Sequence, residues 1–165
     1  MLNPVDTSAV IGDGHLVGRV PDQIHPGVAW WVAACFVVTT RTRRLLLAGD
    51  GHPVTGSFYR CFAKGAVNAS HYACRVLSLG ETAEDLYLGA LRQLRVPGAW
   101  LSTGPDGATV SITLHGADGE PVAAEVWEDI RRLIDLDRVP IPVNATARGT
   151  VVPVGPDTVC QEAST

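Results

Sequence analysis

The side chains best suited to chemistry lie in one short polar loop, residues 102–107, which reads Ser-Thr-Gly-Pro-Asp-Gly. Hydroxyls, a carboxylate and the backbone N–H groups beside two glycines are close together there. Successive backbone N–H groups and hydroxyls in such a turn commonly hold the oxygens of a phosphate or a sugar. The candidate ligand residues of this loop are Ser102, Thr103, Gly104, Asp106 and Gly107.

A second candidate loop carries Asp50 and His52 and follows the apolar run at residues 45–48. A compact apolar run that ends in glycine is typical of a buried parallel strand leading into a loop. In open α/β sheets, ligands bind at the carboxyl edge of the strands. Because the 102–107 loop also follows an apolar segment, at 99–101, we expect both loops at the same edge of one sheet.

Helix-like and strand-like segments alternate between residues 26 and 134, which favours an α/β fold over an all-β fold or a helix bundle. Pro26 suits the first turn of a helix, because its missing N–H has no partner there. The glycines and prolines between residues 12 and 21 predict a loop. We predict helices at 27–39, 55–70, 83–94 and 123–134, and strands at 9–11, 45–48, 74–79, 99–101 and 109–114.

Three stretches occur in the order, and nearly at the spacing, found in the first domain of the α-D-phosphohexomutases, the phosphomannomutase and phosphoglucomutase family. Residues 18–24 (Gly-Arg-Val-Pro-Asp-Gln-Ile) resemble the end of that family's Tyr-Asp-x-Arg-Gly-x-x-Pro-Asp-Gln-Leu segment. Residues 46–53 lie where the family has an apolar strand followed by Gly-Arg-Asp-x-Arg. Residues 85–101 resemble the helix and strand that deliver the catalytic loop. The resemblance extends over residues 9 to 151.

The resemblance implies a single α/β domain of three layers, α/β/α, with a mixed, mostly parallel sheet. We assign this domain to residues 1–137, with the likeness continuing to residue 151, where residues 149–151 resemble the join to a second domain. No stretch resembles that second domain, so a degenerate and standalone first domain is expected. The prolines after residue 137 predict an extended tail over 138–165.

The same resemblance implies that the family's phosphoryl transfer is lost. The family's Thr-Ala-Ser-His-Asn-Pro loop carries the serine that relays the phosphoryl group, and Gly104 occupies that position. Phosphoryl transfer also needs cations to neutralise the equatorial oxygens. Val17, Gly49 and His52 stand at the family's arginine positions, and Arg19 lies nearby. We therefore predict a non-catalytic domain without a cofactor, with magnesium only if the chain complements a mutase.

Several interpretations of function stay open. The leading hypothesis is a pseudoenzyme that works through a protein partner, such as a full-length phosphohexomutase, or through residual sugar-phosphate binding at the edge loops and Arg19. The apolar helix at 27–39, with adjacent Trp30 and Trp31, is either a buried central helix or the contact surface for a partner or a second copy. The alternatives are one piece of a split phosphohexomutase, which would interconvert hexose 1- and 6-phosphates, and a remnant without a role. The link to carbohydrate metabolism rests on analogy of fold.

Composition argues against other classes. The formal net charge is -4 and the basic residues form no stripe, so nucleic acid is not an expected partner. The longest apolar run, 28–38, is well short of the ~20 residues that span a bilayer. The first residues lack the pattern of a secretory signal, and the four cysteines are spaced like buried free thiols, so a cytoplasmic location is expected. The five histidines show no spacing typical of a metal site.

Overall fold

Three layers of secondary structure build the protein, whose computed structural model describes residues 5–12, 14–69, 74–144, 147–155 and 159. Within these ranges, one seven-stranded sheet lies between helical layers. The strands are β1 (Ile11–Gly12), β2 (His15–Arg19), β3 (Arg44–Gly49), β4 (Arg75–Glu81), β5 (Gly98–Thr103), β6 (Thr109–His115) and β7 (Thr150–Pro153). The helices are α1 (Thr7–Val10), α2 (Pro26–Thr40), α3 (Pro53–Asn68), α4 (Glu84–Leu94) and α5 (Ala124–Asp135). The predicted three-layer α/β/α fold is confirmed.

The sheet has the strand order β1-β2-β6-β5-β3-β4-β7. β3 pairs in parallel with both β5 and β4, and β4 pairs in parallel with β7. The pairs β1–β2, β2–β6 and β6–β5 are antiparallel. Because β2 therefore points the same way as β5, only β1 and β6 among the described strands run against the rest. The sheet is mixed and mostly parallel, as predicted.

The central strand β3 is buried on both of its faces. Leu45 and Leu47 pack into the larger core, which α2, α3 and α5 cover, whereas Leu46 and Ala48 pack into the smaller core under α4. An apolar side chain at every position is what a parallel strand between two helical layers requires. The two cores therefore meet at β3.

Helix α2 contacts α3 on one side and α5 on another. Trp30 and Trp31 are half-buried against the larger core, and the ring of Trp31 meets that of His25 edge-on, with centroids 5.2 Å apart. Gly65 of α3 faces the backbone of Trp30, which lets the two helices approach closely. Of the two sequence interpretations of this helix, burial describes most of its surface, and Val38 is its exposed large apolar side chain.

The start of the chain differs from the sequence prediction. The predicted strand at 9–11 is largely the helix α1, and the chain becomes extended only at Ile11. Asp6 caps α1, because its carboxylate accepts a hydrogen bond from Ser8 N at 3.1 Å. This short Asp-x-Ser cap was not considered in the sequence prediction, which followed the apolar residues alone.

The predicted loop between residues 12 and 21 contains the strand β2. It pairs with β6, with His15 opposite Thr113. Gly18 lies inside this strand, where a β-carbon would be 2.7 Å from Ile24 Cγ2. This glycine marks a close approach within a strand and does not mark a turn, which is why the strand escaped prediction.

The predicted extended tail over 138–165 contains the edge strand β7. It pairs with β4, with Thr150 opposite Arg75 and Pro153 at its last position. Proline is tolerated there because an edge strand leaves one row of backbone groups outside the ladder. Val154 and Val159 add to the smaller core, so the folded unit continues past residue 137.

The remaining predicted helices and strands lie within two residues of their observed bounds. No helix in the described part of the chain is long and apolar enough to cross a membrane. Cys35, Cys61 and Cys74 are free thiols, while Cys160 lies outside the described residues. Burial raises the pKa of both Cys35 and Cys74 to about 12, so these two thiols stay protonated and unreactive at neutral pH.

A buried polar pair lies beside the smaller core. The Tyr87 hydroxyl is 3.0 Å from His115 Nδ1, and the two rings meet edge-on with centroids 5.4 Å apart. Burial is the main cause that lowers the pKa of His115; Glu120 acts against this shift and Arg92 acts with it. The neutral imidazole is therefore the form that this site stabilises.

The contact between α2 and α3 predicts opposite effects for two glycine substitutions. A β-carbon at Gly65 would lie 2.8 Å from Trp30 Cα, so Gly65→Ala should push the helices apart and lower the free energy of unfolding by about 1–3 kcal/mol. Gly89 of α4 is exposed, and an added β-carbon there would meet nothing within 4 Å. Gly89→Ala should therefore raise the free energy of unfolding by about 0.5–1 kcal/mol. Urea denaturation measures both. A Gly65→Ala variant as stable as wild type would contradict this account of the contact.

Acid is expected to destabilise the fold through His115. Because the pKa of His115 is lower in the folded state than its ordinary value of about 6.5, the unfolded chain binds the proton more tightly. The contribution of His115 to the free energy of unfolding should therefore be fully present above about pH 6.5. It should decrease as the pH drops toward the folded-state pKa. Denaturation of wild type and His115→Gln at neutral and mildly acidic pH tests this, with the exposed His15→Gln as control. The expectation fails if wild type and His115→Gln lose stability equally.

Candidate functional site

Strand ends bring the candidate loops to one edge of the sheet. β3 and β5 end close together, with Gly49 opposite Leu101 and β5 continuing to Thr103. Arg19 at the end of β2 lies opposite Thr109 at the start of β6. The expectation that the loop after β3 and the loop after β5 share the carboxyl edge therefore agrees with the sheet's register.

Asp50 links these two loops. Its Oδ2 accepts a hydrogen bond from Thr103 N at 2.7 Å, and its Oδ1 accepts one from His52 N at 3.0 Å. Its own backbone N donates to Leu101 O at 3.1 Å. The carboxylate thus satisfies backbone donors of both loops, and Asp50 holds the ends of β3 and β5 together.

His52 begins the helix α3. Its Nδ1 accepts a hydrogen bond from Val54 N at 3.1 Å, and Pro53 occupies the first helical turn. His25 begins α2 in the same way and is followed by Pro26. A side-chain acceptor at this position is usually Ser, Thr, Asp or Asn. The repeated His-Pro pair is the sequence feature that marks both helix starts, and it commits the His52 ring to the helix.

The loop after β5 is a closed turn in which the polar groups bind one another. Gly104 N donates to Thr109 O at 2.7 Å, and Gly107 N donates to Gly104 O at 3.0 Å. The Asp106 carboxylate accepts from the backbone N–H groups of Ala108 at 3.0 Å and Thr109 at 2.9 Å, and from the Thr109 hydroxyl at 2.6 Å. The donors beside Gly104 and Gly107 that were expected to hold a ligand are therefore used inside the loop.

The charge of this loop is negative. The Thr109 hydroxyl, followed by the backbone N–H groups of Ala108 and Thr109, lowers the pKa of Asp106 to about 2. Asp106 is therefore ionised throughout the physiological range. A phosphoryl group carries negative charge and needs positive partners, so an anionic turn disfavours its approach.

Arg19 lies at the same edge and forms an ion pair with a neighbour. Its Nε is 3.7 Å from Asp22 Oδ2, and the Arg19 side chain is 61% exposed. Val20 N donates to Ala108 O at 2.8 Å, which fastens this segment to the loop after β5. The structure thus places the predicted residue Arg19 next to the loop after β5, with its guanidinium at the surface.

The two hydroxyls at the end of β5 belong to different faces of the sheet. Thr103 Oγ1 is 2.5 Å from Thr55 Oγ1 of α3. Ser102 lies opposite Ser111 of β6, and successive residues of a strand alternate between faces. Ser102 and Thr103 therefore do not converge on one point. Trp30 and Trp31 lie apart from these loops, in α2.

A cavity of about 180 Å³ at the same edge was not predicted from the sequence. It lies between the ends of β3 and β4 and the first turns of α3. Burial raises the pKa of Tyr59, which lines it. The sequence feature that could have found it is Glu81, a carboxylate at the end of β4 as Asp50 is at the end of β3. Its lining includes Gly51, Thr55, Gly56, Tyr59, Arg60 and Glu81.

Carboxylates and the His52 imidazole, which are common metal ligands, lie at this edge. In residues 5–12, 14–69, 74–144, 147–155 and 159, no group of three or more His, Cys, Asp or Glu side chains is placed to hold a metal ion.

The fold is similar to that of solved phosphoglucomutases and phosphomannomutases. A phosphoglucomutase/phosphomannomutase family protein from Burkholderia thailandensis matches with a TM-score of 0.69 at 13% identity, over 94% of this chain and 33% of that chain. The exocytosis-sensitive phosphoprotein pp63/parafusin, a phosphoglucomutase from Paramecium, matches with a TM-score of 0.68 at 12% identity, over 94% of this chain and 34% of that chain. This chain spans about a third of the length of these proteins. The sequence itself matches no protein-family model and no curated protein. The fold that the resemblance implied is confirmed.

Asp50→Asn is expected to loosen the edge. The Asn side chain has one acceptor oxygen where the carboxylate has two. The backbone N–H of either Thr103 or His52 would therefore face the side-chain NH2 group and lose its hydrogen bond. The free energy of unfolding should fall by about 1–3 kcal/mol in urea denaturation. The exposed Glu125→Gln of α5 is the matched control and should stay within about 0.5 kcal/mol of wild type. If Asp50→Asn behaves like this control, Asp50 is not the link between β3 and β5.

Proposed function

We propose that this phosphohexomutase-like domain transfers no phosphoryl group and acts by binding a protein partner. The observation that carries the proposal is the closed turn at 104–109. Gly104 stands where the resemblance puts the catalytic serine, its N–H is bonded to Thr109 O, and Asp106 is held ionised beside it. In-line attack on phosphorus tolerates little misplacement, and the hydroxyls of Ser102 and Thr103 lie on different faces of the strand.

The edge strand β7 is the surface that we assign to the partner. In the described part of the chain, β7 pairs with β4 and has no strand on its other side. An unpaired row of N–H and C=O groups can add a strand from another protein, and Val151 in this strand is 45% exposed. Helix α2, with Trp30 and Trp31, offers less surface because α3 and α5 pack against it.

A piece of a split phosphohexomutase is the alternative function. The observation that favours it is the extent of the match, which covers 33% to 34% of the solved mutases. In that case a second chain would supply the remaining parts of an active site, including the magnesium ligands. This chain would then contribute its carboxyl edge to a shared cleft.

Purified protein is expected to show no turnover of glucose 1-phosphate or mannose 1-phosphate in a coupled mutase assay with magnesium, and no phosphorylated species in its intact mass. Gly104→Ser should stay inactive as well. A β-carbon fits there, 3.4 Å from Asp106 Oδ1, but the anionic turn remains, and Val17, Gly49 and His52 still stand at the arginine positions of the family. A full-length phosphohexomutase in the same assay is the positive control. Turnover, or phosphate on Ser102 or Thr103, would overturn the proposal.

The partner is tested in the same preparation by calorimetric titration with a full-length phosphohexomutase. We expect binding that Val151→Asp weakens at least about tenfold, because a charge on an edge strand blocks strand addition. Leu86→Asp on α4, where Leu86 is 65% exposed, is the matched control and should bind normally. Saturable stabilisation by hexose phosphates without turnover would instead make the chain a sugar-phosphate sensor. Turnover that appears only in the mixture would favour the split enzyme.

A further inference from the structure

The cavity between the ends of β3 and β4 has no part in the function proposed above. Gly49, Gly51, Gly56 and Gly80 line its space of about 180 Å³. Of these four glycines, Gly80 is the one where an added β-carbon would meet nothing within 4 Å. Gly51 and Gly80 have φ values of 78° and 74°, which favour glycine. Residues with a β-carbon would strain the backbone at both positions.

Two opposite charges line the cavity, each beside one of these glycines. A β-carbon at Gly51 would lie 2.6 Å from Glu81 Oε2, and one at Gly56 would lie 3.6 Å from Arg60 Nη1. Arg60 Nη2 is 3.4 Å from Ser57 Oγ. Among the described residues, Arg60 and Glu81 form no ion pair with each other, although both line this cavity.

The rest of the described lining is mostly carbon. The Tyr59 hydroxyl donates to Leu47 O at 3.0 Å or to Ser78 Oγ at 2.7 Å, and it accepts from Gly80 N at 3.0 Å. The Tyr59 hydroxyl therefore already has hydrogen-bond partners within the protein. Tyr59 Cδ2 and Thr55 Cγ2 would lie 3.4 Å and 3.3 Å from a β-carbon at Gly49, so ring and methyl carbon face that side.

We infer that this cavity binds a small zwitterion of the α-amino-acid class with a short apolar side chain. The Arg60 guanidinium has the donor geometry to hold a carboxylate through two parallel hydrogen bonds. The Glu81 carboxylate accepts from the ammonium group, and the carbon of Tyr59 and Thr55 packs against the side chain.

Charge and size together select this class over a hexose phosphate. Glu81 would face a phosphate dianion with its own negative charge, which a zwitterion avoids because its ammonium group lies there. Typical ligand pockets measure about 300–1,000 Å³, and this one measures about 180 Å³. A ligand with a short side chain suits this small space.

The test is calorimetric titration of the intact protein with glycine, L-alanine, L-serine and L-valine. N-acetyl-alanine, which lacks the ammonium group, and alanine amide, which lacks the carboxylate, are the matched ligand controls. We expect saturable binding of at least one amino acid, and binding at least about tenfold weaker for each control, as the loss of one charge-assisted hydrogen bond predicts. Inorganic phosphate and glucose 6-phosphate should not compete.

Variants identify the site. Glu81→Gln and Arg60→Gln should each weaken binding at least about tenfold, whereas Glu125→Gln and Arg138→Gln, on exposed side chains outside the cavity, should bind as wild type. Circular dichroism and thermal midpoints of all four variants check that each one keeps the fold. The inference is overturned if no amino acid binds at millimolar concentration, if both cavity variants bind normally, or if glucose 6-phosphate competes. None of these outcomes changes the mutase assay, so the two proposals fail separately.

Discussion

The burial of β3 on both faces is the constraint on which the rest of the structure depends. Leu45 and Leu47 enter one core and Leu46 enters the other, and each fully buried leucine contributes about 1.5–3 kcal/mol. A slip of one residue would exchange the two sets of side chains between cores of different shape. This fixed register sets where β3 ends, and with it where Asp50 meets Thr103.

The carboxyl edge differs in its hydrogen bonding from one pair of strands to the next. Between β3 and β5, where the resemblance places phosphoryl transfer, the polar groups bind each other through Asp50 and the turn around Asp106. Between β3 and β4, glycines leave a cavity with one positive and one negative group.

The sequence was sufficient where local residue types decide the structure. The apolar run of β3 and the proline at the start of α2 placed both elements, and the resemblance gave the three layers and the mostly parallel sheet. β2 was missed because Gly18 serves a contact with Ile24, and such a contact is invisible in a local pattern. At the site, Asp50 and the 102–107 loop were placed at the correct edge. The hydrogen bonds between these loops, and the position of Arg60 and Glu81 on one cavity, depend on strand register and on packing between distant segments. Local sequence spacing does not encode either.

The order in which the strands lie along the sheet differs from their order along the chain, and this has a consequence for folding. β3, β4 and β5 follow one another closely, whereas β2 reaches its partner β6, with His15 opposite Thr113, only after most of the chain has been laid down. β7 likewise returns to β4 from late in the sequence. Closing such long loops costs entropy and slows folding. The middle of the sheet should therefore form first and exchange its amide hydrogens last, while the two flanks open and close as separate cooperative units.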